Sequence, residues 1–193
     1  MARIIVSEFV SLDGVMEGPG GDNDFERGAW SFRFERGEEG DKFKLDETME
    51  ADSLLLGRRT YEGFAAAWPS MKDEAGFADK FNSMPKFVVS STLEDPDWTN
   101  STVLEGEVVE SVSRLKQERE GDIVVHGSAQ LVHALVEADL VDELRMMVFP
   151  VVLGTGLRLF GETSELKVLR LTDSKIVGDG VAILVYERAT EAI

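Results

Sequence analysis

The sequence predicts one α/β domain over residues 1–193: a mostly parallel sheet of about eight strands, helices on both faces, and an antiparallel hairpin near the C-terminus. Three observations predict it. Short, continuous runs rich in β-branched and aliphatic residues recur along the chain, the pattern of strands buried on both faces. Helical segments separate these runs, as crossovers between parallel strands require. Close to the end, two strand-like runs flank Gly178-Asp179-Gly180, a hairpin signal.

The elements follow in order. Arg3–Phe9 (RIIVSEF) is β-branched and reads as a first buried strand. Val10–Gly37 is a long loop rich in glycine and acid, a length that often marks a functional lid. Glu38–Glu50 reads as a helix, Ser53–Gly57 (SLLLG) as a short central strand, and Arg59–Ala67 as a helix halted at Trp68-Pro69. A weaker helix at Glu74–Asn82 precedes the strand Lys86–Ser91. Helix Val109–Glu118, strand Asp122–His126, helix Gln130–Glu137 and strand Glu143–Phe149 continue the alternation. Leu166–Val177 and Val181–Glu187 form the hairpin. No repeat interrupts the pattern, and the pattern leaves strand order open.

Composition narrows the function. The net charge of −17 disfavours nucleic acid and anionic membranes as partners, since both repel an acidic surface. The longest apolar runs fall well short of the roughly 20 residues that span a bilayer. Without cysteine there is no thiolate metal site or disulfide. Nothing pairs His126 with His133, so no metal is expected. The opening Met1-Ala2-Arg3 leads directly into a strand-like run, which gives a cytoplasmic expectation.

Three junctions suit an anionic ligand, because ligands of open α/β sheets sit at the carboxyl ends of strands and helix N-termini favour phosphate. The first is Gly57-Arg58-Arg59-Thr60, with two adjacent cations where the helix dipole disfavours them unless an anion lies between. The second is Ser90-Ser91-Thr92, three hydroxyls after a buried strand. The third is Gly127-Ser128-Ala129-Gln130, whose small side chains let a pyrophosphate approach the backbone. Each taken alone is also an ordinary tight turn.

Taken together, GRRTYE, VVSST and HGSAQLV resemble the three cofactor-binding segments of dihydrofolate reductases, in the same order. Leu140–Leu144 (LVDEL), Phe149–Gly156 (FPVVLGTG) and Ser7–Gly14 (SEFVSLDG) are similar to the reductase domain of bacterial riboflavin biosynthesis and its stand-alone relatives. The resemblance spans Arg3 to Glu187. It implies an NADPH-dependent hydride transfer to a small heterocyclic (pyrimidine- or pterin-like) or carbonyl substrate, as in 5-amino-6-(5-phosphoribosylamino)uracil reductase. It implies that Arg58 with Ser90 or Ser91 holds the 2′-phosphate, with Thr92 beside them, that Arg59 and Thr60 contact phosphates nearby, and that Gly127 to Gln130 wrap the pyrophosphate. Asp13, Gly14, Val15 and Met16 would begin a loop closing over the nicotinamide. The family's reductase domains form homodimers, so a homodimer is expected, with Phe149–Gly161 a candidate surface.

The sequence departs from this pattern in places. The family's glycine pair, often joined by a cis peptide, has Ser128 as its second member. A helix carboxylate that would bind a pterin is expected at Asp46 or Glu47, and Trp30 in the long loop is the aromatic expected to touch substrate. Water or Asp13 is the expected proton source. The family's deaminase domain has no counterpart here, since cysteine and an H-x-E motif are both missing. Two other readings remain: a non-catalytic NADPH-binding protein and a true dihydrofolate reductase.

Overall fold

The apolar runs become the inner strands of an eight-stranded sheet in the order β4-β3-β2-β5-β1-β6-β8-β7. The computed structural model describes residues 1–21 and 25–189. The strands are β1 (Arg3–Ser11), β2 (Ser53–Gly57), β3 (Lys86–Val89), β4 (Ser101–Leu104), β5 (Asp122–Val125), β6 (Glu143–Phe149), β7 (Leu169–Val177) and β8 (Val181–Arg188). Strands β1 to β6 run parallel to one another; β8 pairs antiparallel with both β6 and β7. The helices are α1 (Gly37–Glu50), α2 (Arg58–Ala67), α3 (Phe77–Ser83), α4 (Val108–Glu118) and α5 (Ala129–Glu137).

Alternation along the strands divides the core between two faces. Ile4, Val6, Leu55, Ile123 and Val125 pack with Val112 and Leu115 of α4 and with Val132 and Leu135 of α5. Ile5, Leu54, Leu56 and Val124 point the other way, towards Tyr61 of α2 and Phe81 of α3. Helix α1 covers that second face, with Phe43 against Met147 and Phe149 of β6. The connections from β1 and β2 therefore leave over one face, whereas α5 carries the chain from β5 over the other. This makes the carboxyl ends of β2, β5 and β1 a topological switch point, where ligands of such sheets bind.

Strand β4 was not foreseen from the sequence. It has four residues, none fully buried, and lies at the sheet edge, so it lacks the continuous apolar run of a central strand. The long loop also differs from expectation. Strand β1 runs on to Ser11, and the described part of the segment is anchored rather than free. Trp30 is 1 % exposed, its Nε1 donates to Glu17 O at 2.8 Å, and Ser31 Oγ donates to Pro19 O at 2.7 Å. Residues 22–24 of that loop lie outside the described residues. The hairpin tip docks at the start of α1. Asp179 N–H donates to Glu35 O at 2.8 Å, and Gly178 (φ +48°) approaches so closely that a Cβ there would lie 1.9 Å from Glu35 O.

Candidate functional site

The three junctions meet on one edge because β3, β2 and β5 are adjacent and parallel. Ser128 Oγ accepts the Gly57 N–H at 2.8 Å, and Thr60 Oγ1 accepts the Ser128 N–H at 3.0 Å, tying the first junction to the third. Arg58 Nη1 donates to Thr92 Oγ1 at 3.0 Å, tying the first to the second. Ser90 Oγ accepts the N–H groups of Thr92 (3.1 Å) and Leu93 (2.9 Å), which shapes that turn. Arg58, Arg59, Ser91, Thr92 and Gln130 are exposed on this edge, while Ala129 is packed into the core.

The local backbone explains the close fit. Gly127 (φ 57°) and Ser128 (φ 61°) are both left-handed, and the peptide between them is trans. A Cβ at Gly127 would fall 2.7 Å from Thr60 Oγ1, so glycine is required there. Among the described residues no side chain caps α2 or α5, and neither helix has an acidic residue in its first turn. Two helix starts with free N–H groups thus lie beside two arginines, in a chain of net charge −17. This donor set fits the phosphates of a dinucleotide.

Beyond β5 lies a second group of polar residues, built around β1. Pairing of β1 with β5 stops at Val6↔Val125, and β1 runs on alone along that edge. On the α1 face, Glu47 is 2 % exposed and accepts from Ser7 Oγ at 2.8 Å, from Lys44 Nζ and from Arg145 Nη1 at 3.5 Å. Burial alone would raise the Glu47 carboxyl; Lys44, then His126, and the hydrogen bonds from Lys44 and Ser7 outweigh it and hold it below the ordinary value. His126 follows β5 directly, and its Nδ1 lies 3.0 Å from Ser7 O. A carbonyl oxygen only accepts, so Nδ1 carries the proton and the ring is the neutral Nδ1–H tautomer. On the opposite face, Glu8 is 5 % exposed, and burial pushes its carboxyl well above the usual carboxylate range.

Burial, with the Lys44 charge adding to it, lowers His126 to about 4. A histidine held neutral in this way contributes stability above pH 6.5, its unfolded value, and that contribution is lost as pH falls through about 4. Glu8 works in the opposite direction, since its raised value favours the folded state at low pH. We expect denaturant midpoints to fall across that acid window, and to fall less steeply in His126→Asn, which removes the titration while keeping an N–H donor. Equal slopes in the two proteins would exclude His126 as the cause.

The other expected site residues are placed as follows. The Asp13 carboxylate accepts the N–H groups of Leu153 (3.0 Å) and Gly154 (2.7 Å) and the Ser11 hydroxyl (2.7 Å). The Leu153 bond and the Ser11 hydroxyl hold it far below the usual carboxylate range, so at neutral pH it has no proton to give. It serves instead as a clamp between the end of β1 and the segment after β6. Val15 and Met16 are buried, Met16 N–H donates to Leu157 O at 2.8 Å, and Val15 bridges to Arg158. Trp30 packs edge-on against Phe149, a core role in place of the expected substrate contact. Asp46 pairs with Lys42 on the exposed side of α1, whereas Glu47 joins the buried network at β1. Sequence reading passed over Glu8 and Lys44. The available signal was a carboxylate inside the apolar run of β1, where an unpaired charge is costly to bury.

On the α1 side of β1 a cavity of about 360 Å³ opens, lined by Phe9, Phe34, Arg36, Glu38 and Asp41 among others. The Arg36 guanidinium lies 5.3 Å from the Phe9 ring centroid. The strand order and helix placement give the chain an α/β fold of the dihydrofolate-reductase-like type. Within that class, the chain belongs to the RibD C-terminal domain family, whose model matches residues 2–185. This is a reductase-domain family, related to riboflavin biosynthesis.

Two relatives and two solved structures are similar to this chain over most of its length. The chain is 29 % identical over 187 residues to the uncharacterized protein YyaP of Bacillus subtilis, covering 95 % of this chain and 94 % of that one. It is 33 % identical over 180 residues to the uncharacterized protein YwjB of the same organism, covering 93 % and 94 %. A putative riboflavin biosynthesis protein from Shewanella sp. PV-4 superposes with a TM-score of 0.77 at 23 % identity, over 98 % of this chain and 99 % of that one. A diaminohydroxyphosphoribosylaminopyrimidine deaminase/5-amino-6-(5-phosphoribosylamino)uracil reductase from Thermotoga maritima superposes with a TM-score of 0.63 at 15 % identity, over 97 % of this chain and 57 % of that one.

Proposed function

We propose that this protein is an NADPH-dependent reductase acting on a small heterocyclic or carbonyl compound. The observation that carries the reading is the linked cradle at the ends of β3, β2 and β5, where Arg58, Arg59 and two uncapped helix starts converge. Arg58 with Ser90 or Ser91 would hold the 2′-phosphate, since a guanidinium fork matches a phosphate dianion. Gly57, Thr60 and the turn from Gly127 to Gln130 would take the pyrophosphate. The cofactor supplies the hydride, and the chain contributes orientation and electrostatics. The cavity beside Phe9 and Phe34 offers an aromatic wall for a planar substrate ring. The reading includes a cytoplasmic homodimer, in which Val152, Leu157 and Phe160 are the exposed apolar side chains of the segment expected at the interface.

The test is a fluorescence or calorimetric titration of the purified protein with NADPH and with NADH. Micromolar NADPH binding with a clear preference over NADH is the expected result. Binding of neither would remove the reductase reading. NADPH binding without turnover of any pyrimidine, pterin or carbonyl substrate would favour a non-catalytic nucleotide-binding protein.

A further inference from the structure

We propose that Glu8 is the side chain that recognises the carboxamide of the nicotinamide ring. The inference rests on the NADPH reading above and extends it to the redox end of the cofactor.

Strand order supplies the direction. The arginine and hydroxyl junctions lie at β2 and β3, and the left-handed Gly127-Ser128 turn lies at β5. A dinucleotide with its 2′-phosphate at the first two and its pyrophosphate at the third is already running along the sheet edge. The next strand on that line is β1. Three strand spacings, about 14 Å, separate β3 from β1. Pairing of β1 with β5 ends at Val6↔Val125, so a gap opens at the next residues of β1, Ser7 and Glu8.

Glu8 meets that gap with an unmet hydrogen-bonding capacity. The residue is 5 % exposed, and the Gly127 backbone N–H faces its carboxyl, so it borders the pyrophosphate turn itself. Its Oε1 has no hydrogen-bond partner among the described residues. The nearby charged groups, Lys44 and Glu47, are engaged with each other and with Ser7, while the His126 Nδ1–H is engaged with Ser7 O. Most buried polar atoms in native proteins are paired; among the described residues Thr48 Oγ1 and Ser101 Oγ are unpaired as well, but Glu8 Oε1 is the one beside the Gly127 turn, and an orphan beside a ligand cradle points to a ligand partner. A primary carboxamide offers both an N–H donor and a C=O acceptor. It therefore complements a carboxyl whether that group is neutral or ionised. The adenosine half of the cofactor would not reach this position.

The experiment compares two ligands on three proteins. NADPH carries the nicotinamide; 2′-phospho-ADP-ribose lacks it. Both are titrated against the wild type, Glu8→Gln and Glu8→Leu. We expect Glu8→Leu to weaken NADPH binding about tenfold while changing 2′-phospho-ADP-ribose binding less than about twofold. Glu8→Gln keeps an acceptor and a donor, and should stay within about threefold of the wild type for both ligands. Replacing a buried carboxyl whose Oε1 is unpaired by an apolar side chain of similar size should leave the thermal midpoint close to the wild-type value. If Glu8→Leu does not fold, Glu8→Ala is read in the same way. Unchanged NADPH binding in the apolar variants, or equal losses for both ligands, overturns the inference and leaves the reductase reading standing. Failure of wild-type protein to bind NADPH removes that reading and this inference with it.

Discussion

Glu47→Ala is expected to lower the unfolding free energy by about 3–5 kcal/mol. The carboxylate is 2 % exposed and holds together groups from three elements: Ser7 of β1, Lys44 of α1 and Arg145 of β6. Its removal would leave the Lys44 side chain, 12 % exposed, and the Arg145 side chain, 14 % exposed, short of counter-charge. Arg145 would keep Glu143, but Lys44 would keep the Ser7 hydroxyl and the Phe9 ring without an ion-pair partner among the described residues. The large cost thus comes from orphaned cations rather than from the lost bonds themselves. A double substitution, Lys44→Met with Glu47→Leu, should recover much of the loss, because a buried pair and a well-packed apolar pair often differ little. Urea unfolding of the single and double variants measures both effects. A single-variant cost below about 1 kcal/mol would mean that the network is screened like a surface pair.

Arg58→Ala is expected to weaken NADPH binding roughly 30-fold and NADH binding less than about threefold. Arg58 is half exposed, with its Nη1 on Thr92 Oγ1 and its Nε 3.8 Å from Glu62. An exposed pair at that distance contributes little, so the guanidinium is free to turn towards an incoming phosphate at small cost. The 2′-phosphate is the one group that distinguishes the two cofactors, and a charge-assisted fork is the interaction that reads it. Paired titrations of the wild type and the variant measure the difference. Equal losses for both cofactors would remove Arg58 from the 2′-phosphate position and leave it a general phosphate contact or a surface residue.

How legible the site was depended on how local its determinants are. Gly57, Arg58, Thr60, Ser90 and Ser128 follow strands at positions that sequence alone marks, and the sheet brings them together because β3, β2 and β5 share direction and adjacency. Trp30 and Asp13 looked accessible because they sit in a long glycine-rich stretch. Their partners, Phe149 and the Leu153-Gly154 backbone, lie more than a hundred residues away, and no local pattern announces them. Asp46 and Glu47 are neighbours on one helix, yet one faces solvent beside Lys42 while the other is sealed against Ser7. Only the rotation of α1 against β1 separates them.

By itself the sequence determined the fold class, the positions of the other seven strands and the five α-helices to within a few residues, and the small and hydroxyl residues at the strand ends. These follow from periodicity, turn chemistry and small residues at strand ends, which act over a few residues. The order of the strands, and with it the switch point, was decided only in the folded molecule, because a parallel crossover has no local signature of where it lands. The same holds for the cluster of Glu8, Lys44, Glu47 and His126. Each belongs to a different segment or face, and their protonation states arise from mutual burial and from fields that exist only once β1, β5 and α1 are packed together.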